Sequence, residues 1–270
     1  MLRFIHCADL HFDRTFEGLH LITQVKELPL ANNQVLEKIV TLALNEQVDF
    51  LVFAGDIFHQ NRPSLKTQHQ FFKQINRLKE QDIPVYMIFG NHDYFEKERY
   101  WFDFPENIHL FTEEKVRTIH GKNKTGESYA ISGFSYQHPW ITTSKVSEFP
   151  KKAATYHIGM YHGDSNGERF APFQIQEMKQ KNYDYWALGH IHVPTVLSKM
   201  PPIIYPGTPQ GHTQKEKETG VQLVTLDGMK VHYETKKVAA VTWEDYELSL
   251  LGIKSRKDAL EAMKAFFQTS

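Results

Sequence analysis

The sequence predicts a layered α/β fold. Three observations carry that expectation. Short unbroken apolar runs, such as residues 49–54 and 85–89, have the length of strands buried on both faces. Between them, apolar residues recur at helical spacing. Each principal run then stops at polar residues, most often beside a glycine, which is where α/β folds deliver ligand and catalytic groups.

Residues 2–6 form the first apolar run, followed by Cys7-Ala8-Asp9-Leu10-His11. Read as a strand, this run delivers Asp9 and His11, and a separation of two places both on one side of an extended segment. Residues 12–30, with Gly18 and Pro29, read as a long loop of the kind that lines sites. Val35, Leu36, Ile39, Val40 and Ala43 predict an amphipathic helix over 33–47. The run at 49–54 ends in Gly55-Asp56-Ile57-Phe58-His59. Phe71, Phe72, Ile75 and Leu78 mark a second helix over 65–80, and Pro84 opens a strand that ends in Gly90-Asn91-His92-Asp93. Strands and helices in alternation, with polar residues at each strand end, make a layered α/β arrangement.

After Tyr94 the helical signal weakens. Residues 108–111, 116–119 and 129–134 read as short strands, with a turn at Asn123-Lys124-Thr125-Gly126. A further run at 157–161 ends in His162-Gly163-Asp164, residues 173–181 predict a helix, and 185–188 ends in Gly189-His190-Ile191-His192. Residues 193–197, 203–205, 221–226 and 230–238 are strand-like. From Trp243 the character changes to an acidic strand-like piece over 243–251 and a helix over 255–267, with Phe266 and Phe267 left without partners. This divides the chain into a main domain, 1–242, and the start of a truncated capping or accessory domain, 243–270, with a C-terminal helix docked on the core as the alternative reading.

Composition bounds the function. Lys and Arg number 31 against 32 Asp and Glu, so a bulk basic footprint for nucleic acid is excluded and only a local patch remains open. Cys7 is the only cysteine, which rules out an intrachain disulfide and a Cys-based zinc cage and fits a reducing compartment. The N-terminus turns polar too soon for a signal peptide, and no apolar run reaches membrane-spanning length, so a soluble cytoplasmic protein is expected. The excess is in histidine, 15 in all, which invites a metal hypothesis.

Five polar blocks follow five apolar runs: Asp9-x-His11, Gly55-Asp56, Gly90-Asn91-His92-Asp93, His162-Gly163 and Gly189-His190-x-His192. Singly each has a bland reading, since a lone His after a strand is usually a hydrogen-bonded structural residue. Jointly they supply two carboxylates, an Asn and several imidazoles, an N/O donor set that suits Mn, Zn or Fe. Two divalent ions about 3.5–4 Å apart clamp the attacking and leaving oxygens of displacement at phosphorus. The glycines at 55, 90, 163 and 189 permit tight turns close to such ions.

These blocks resemble the calcineurin-like metallophosphoesterases, over residues 2–226. Within that superfamily they are more similar to the DNA double-strand-break-repair nucleases, the SbcD-like group. Phe16-x-Gly18-Leu19, the segment from Val48 to His59 and Trp186 to His192 look most like its YhaO type. The loop from Tyr205 to Gln210 resembles one this group carries, making Tyr205, Gly207 and Thr208 substrate-loop candidates. The resemblance implies a β-sandwich flanked by helices and two divalent metal ions, Mn2+ foremost, with Fe, Zn or Mg as alternatives. It assigns Asp9, His11 and His192 to one metal, Asn91, His162 and His190 to the other, and Asp56 as the bridge. His92 would assist the leaving group, His59 would contact phosphate, and Asp93 would orient its neighbours.

The implied reaction is phosphodiester hydrolysis by a metal-activated water. It would be 3′→5′ exonuclease action on double-stranded DNA with endonuclease action on single strands, in DNA repair at the nucleoid. The implied partners are DNA, an SMC-like ATPase and a second copy of the chain. A phosphodiesterase or phosphatase acting on small nucleotides and a non-catalytic metal-binding scaffold are the alternatives. His157 and His212 are spare histidines left out of the ligand set, and Cys7 reads as a small buried residue. Trp101, Trp140 and Trp243 are potential base-stacking residues for which core packing is the default expectation, and the lysine pairs at 151–152 and 236–237 read as solvated surface.

Overall fold

A computed structural model describes residues 1–17, 31–249 and 251–269. Most of the loop expected over 12–30, including Gly18, Leu19 and Pro29, lies outside the described residues, as does the side chain of Phe267.

Two six-stranded sheets pack face to face. The first has the order β12 (Lys230–Lys236), β11 (Val221–Asp227), β1 (Leu2–Cys7), β2 (Phe50–Ala54), β3 (Val85–Ile88), β4 (Ile108–Leu110). The second has the order β5 (Arg117–Lys122), β6 (Ser128–Gly133), β7 (Tyr156–His162), β8 (Tyr185–Gly189), β10 (Pro202–Tyr205), β9 (Thr195–Lys199). Strands β1 to β4 run parallel, as do β6, β7, β8 and β10, while the outer strands β12, β5 and β9 are antiparallel to their neighbours. Helices α1 (Ala31–Asn45) and α2 (Leu65–Lys79) cover the first sheet and α3 (Ile175–Gln180) the second.

The apolar runs follow from this layering. In β2, Phe50, Val52 and Ala54 face the other sheet, whereas Leu51 and Phe53 face α1 and α2. In β8, Tyr185 and Ala187 face inward and Trp186 and Leu188 face the α3 side. Side chains alternate with period two, but both faces are dry, so the strand is apolar throughout. Helix α2 begins at Ser64, whose hydroxyl accepts the Thr67 N–H (3.1 Å), and Arg77 and Lys79 complement the dipole in its last turn.

The layered α/β expectation and the flanked β-sandwich are what the structure has. Several local expectations are corrected. The strand expected over 193–197 is displaced to Thr195–Lys199, because Pro194 has no N–H to give to the ladder. The strand-like piece over 243–251 has no regular structure over 243–249; side-chain contacts hold it, Trp243 Nε1 to the Gly211 carbonyl (2.9 Å) and Lys217 to Asp245. Phe266 is not unpartnered, since Tyr246 packs edge-on against it at 5.4 Å. Helix α4 (Arg256–Thr269) contributes no described residue to the three core clusters. Core packing also fails as the default for tryptophan: Trp101 and Trp140 are 65% and 62% exposed, and only Trp186 is fully buried.

His6 on β1 is a buried histidine outside the polar blocks. Its Nε2 donates to the Leu188 carbonyl and its Nδ1 accepts from the Tyr185 hydroxyl, both at 3.0 Å, so the neutral ring is satisfied at both nitrogens. Burial drives its pKa down to about 3. The unfolded chain takes up this proton near pH 6.5 and the folded one does not, so stability is intact above pH 6.5 and falls as the pH drops from there toward 3. Urea unfolding at pH 7 and pH 5 should show the native protein losing roughly 2 kcal/mol more than a His6→Gln variant over that interval. Equal losses in the two proteins would exclude His6 as the source.

Candidate metal centre

The polar blocks lie together where the carboxyl ends of β1, β2, β3, β7 and β8 meet. The backbone closes the junction: Asp9 N–H donates to the Gly55 carbonyl (3.1 Å), His11 N–H to the Asp56 carbonyl (3.0 Å) and Gly163 N–H to the Gly189 carbonyl (3.1 Å). Asp9 and His11 do not converge through an extended segment. Both have left-handed backbones, at φ 52° and 44°, and Asp56 (φ 51°) and His190 (φ 107°) share that feature. Left-handed backbone costs a non-glycine residue about 1–2 kcal/mol, and such residues gather at functional sites.

The glycines act mainly through space. Only Gly55 of the four has a positive φ (91°). A Cβ at Gly90 would stand 2.3 Å from Asp56 Oδ1, and one at Gly189 would stand 2.0 Å from the Ala54 carbonyl.

The side chains form two groups with a shared edge. In one, His11 Nε2 and His192 Nε2 are 3.0 Å apart, with Asp9 Oδ1 4.0 Å from His192 Nε2. In the other, Asn91 Oδ1 lies 3.1 Å from both His162 Nε2 and His190 Nδ1. Asp56 Oδ2 stands between the groups, 3.3 Å from His162 Nε2 and 3.8 Å from His11 Nε2. Asp9, His11, His192 and Asp9, Asp56, His162 each offer donor atoms within 4.8 Å of one another. Ligand atoms about 2.1 Å from one ion are separated by roughly 3.0–3.4 Å, a spacing that the His11–His192, Asn91–His162, Asn91–His190 and Asp56–His162 pairs have and the two longer pairs exceed.

A model described as calcineurin-like phosphoesterase matches residues 2–194. This chain belongs to that family. The sequence is 36% identical to "Uncharacterized metallophosphoesterase YhaO" of Bacillus subtilis, over 99% of this chain and 66% of that protein. It is 25% identical to "DNA double-strand break repair protein Mre11" of Methanopyrus kandleri, over 95% of this chain and 60% of that one. It is 24% identical to a subunit of the nuclease SbcCD of Bacillus subtilis, over 92% and 70%. The chain thus spans about two-thirds of these relatives' lengths. Calcineurin-like phosphoesterases are hydrolases that bind two divalent metals. Among the described residues no helix is long and apolar enough to cross a membrane.

Hydrogen bonding shows that the phosphoesterase site fits its ions. His162 Nδ1 donates to the Ala54 carbonyl (2.9 Å), so the neutral ring turns an Nε2 lone pair toward Asn91 Oδ1 and Asp56 Oδ2. Three lone-pair atoms converge there, and a cation satisfies all three. Without one, a proton serves: burial alone would push His162 down, but Asp56 overrides it and raises the pKa to about 9. Asp56, buried yet facing His162 and His11, is held well below the usual carboxylate range. Burial raises Asp9 to about 6, against the pull of His162 and His192, and lowers His190 to about 4.

His92 and His59 stand beside the donors. Their rings stack at 5.7 Å, and His92 lies 4.9 Å from the His11 ring. Asp93 is buried and accepts four backbone N–H groups, from Asp56, Ile57, Phe58 and Gly90, fixing two of the blocks in place. Tyr205, Gly207 and Thr208 are buried, and the side chains of Tyr205 and Thr208 are engaged within the protein. The Tyr205 hydroxyl donates to the Gly163 carbonyl (2.7 Å), Thr208 Oγ1 to the Asp9 carbonyl (2.9 Å) and Thr208 N–H to the His192 carbonyl (2.9 Å). His157 packs on Tyr183 and bonds Ser132, away from the blocks. Cys7 is buried in the core.

Sequence reading missed Arg14 and Glu216. His192 Nδ1 donates to Glu216 Oε1 (2.6 Å), which leaves Nε2 as the free lone pair beside His11. Glu216 also accepts from Arg14 Nη1 (3.0 Å), His212 N–H (2.7 Å) and Thr213 N–H (3.1 Å). Despite partial burial, these donors hold its pKa at about 2. A carboxylate behind a ligating imidazole typically changes metal affinity 10–100-fold. Glu216→Gln should weaken metal binding by about that factor in calorimetric titration, since its amide turns N–H groups on backbone donors or loses the grip on His192. Unchanged affinity would mean that Glu216 serves only the loop.

Proposed function

We propose that this chain is a dinuclear-metal phosphodiesterase acting on DNA in repair. Its expected actions are 3′→5′ exonuclease cleavage of duplex ends and endonuclease cleavage of single strands, with Mn2+ as the preferred ion. The observation that carries the dinuclear reading is Asp56 Oδ2, 3.3 Å from His162 Nε2 on one side and 3.8 Å from His11 Nε2 on the other. On this reading Asp9, His11 and His192 hold one ion, Asn91, His162 and His190 hold the second, and Asp56 bridges. The names of the relatives, a double-strand-break repair protein and part of a nuclease, support DNA as the substrate. A place at the nucleoid, an SMC-like ATPase partner and a homodimer belong to the same proposal.

When bound, the two ions supply positive charge to the phosphate oxygens and acidify a water. The protein's own groups do the rest. Asp93, with its four N–H donors, sets the backbone of both the Gly55–Asp56 and Gly90–Asn91 turns. Asp56 Oδ1 accepts the His92 N–H (2.9 Å), tying His92 to the bridge. The His92 imidazole gives a proton or hydrogen bond to the departing oxygen, and His59, stacked on it, contacts the phosphate.

The test is digestion of end-labelled duplex DNA with Mn2+, beside His92→Ala and with bis-p-nitrophenyl phosphate in parallel. Stepwise shortening from 3′ ends, lost in the variant, is the expected result. Ester hydrolysis without DNA cleavage would reject DNA and favour small nucleotides.

A further inference from the structure

Trp140 is 62% exposed, and nothing in the fold requires an indole in water. Its loop is nevertheless firmly built. The next residue, Ile141, is 5% exposed within the core cluster that holds Phe134 and Tyr136. Ile141 N–H donates to the Arg169 carbonyl (3.0 Å) and its carbonyl accepts the Ala171 N–H (2.7 Å), so Ile141 is tied to residues 169–171 through both of its backbone groups. Pro139 further restricts the chain just before Trp140. Phe170, the residue that Ile141 bridges, lays its ring on the His190 imidazole at 4.6 Å. A contiguous path therefore runs from a histidine of the polar blocks through Phe170 and Ile141 to a solvent-facing indole. The steps are short: the bridged pair stand one strand spacing apart, ~4.8 Å, and Trp140 is the next residue, ~3.8 Å further along the backbone.

We propose that Trp140 is a nucleobase-stacking subsite that receives a base of the strand whose phosphate lies at the metal centre. This rests on the reading of the protein as a nuclease. The ions fix a phosphate, and a base held to the same strand then lies a few nucleotides away with its flat apolar face open. An indole carried next to the anchored Ile141 binds that face without the cost of ordering a loop. Arg169, exposed beside it, offers charge to the intervening backbone. Stacking tolerates every base, which suits an enzyme that must process any sequence, and it requires an unpaired base, which places the subsite on a single strand or a frayed end.

Binding of labelled oligothymidylate and of an abasic oligomer of equal length separates stacking from phosphate contacts. Both are titrated by fluorescence anisotropy onto Mn2+-loaded protein carrying His92→Ala, which slows turnover. The parent should favour oligothymidylate. Adding Trp140→Ala should weaken that oligomer roughly 5- to 150-fold and leave the abasic one unchanged, while Trp140→Phe keeps most of the preference. Equal weakening of both oligomers, or no change in either, would overturn the subsite while leaving the nuclease reading standing. Failure of the parent to bind either oligomer would overturn both.

Discussion

His92→Ala is expected to lower phosphodiester turnover by about 10²–10⁴-fold while metal uptake persists. The geometry separates the two roles. His92 is the exposed member of its block, whereas Asp93 is buried and Asn91 reaches the His162–His190 pair. Its backbone N–H, which the substitution keeps, is what Asp56 Oδ1 uses. Removal of the imidazole therefore leaves Asp56 held as before and takes away only an exposed ring. A competing arrangement exists, because His11, His59 and His92 also present nitrogens close enough to share an ion. Calorimetric metal titration beside kcat with bis-p-nitrophenyl phosphate decides between them. If the variant lost an ion, His92 would be a ligand and its place as a proton donor would fall. His59→Ala should act on KM more than on kcat, as a phosphate contact does.

How much of this was legible before the fold was seen differs by residue. The five blocks announced themselves because each terminates a largely apolar buried strand, a signal carried within single short segments. The sequence did not show how the donors meet. Asp9 and His11 come together through two left-handed residues, not through a two-residue alternation, and no propensity announces a left-handed Asp before Leu. Arg14 and Glu216 were invisible for another reason. Both sit in polar loops, 202 positions apart, and only the fold places the guanidinium 3.0 Å from the carboxylate behind His192. Glu216 follows Lys215 and precedes Lys217, the pattern of a solvated surface. Burial also eluded composition: Trp186 and Trp140 are the same residue type, and a strand between two layers hides one while a loop beside Phe170 exposes the other.

Gly90→Ala should cost at least about 10²-fold in activity and weaken metal binding, although alanine suits the backbone there. Gly90 is not among the residues with positive φ, so the penalty is purely one of space. The new methyl would stand 2.3 Å from Asp56 Oδ1 and 2.6 Å from His162 Nε2. Neither atom has room to withdraw. Asp56 Oδ1 is held by the His92 N–H (2.9 Å), and the His162 ring is pinned through Nδ1 to the Ala54 carbonyl (2.9 Å). Relief to van der Waals contact takes about 1 Å of movement, and a misplacement of that size is worth about 10²-fold in rate. Overpacking adds roughly 1–3 kcal/mol of destabilisation, visible as a lower melting temperature. Gly126→Ala is the matched control. Its φ of 87° carries a backbone cost, yet a methyl there meets nothing within 4 Å, so it should lose stability and keep its activity. Full activity in Gly90→Ala would mean that Asp56 and His162 are free to shift, and a bridge that free could not hold two ions at a fixed spacing.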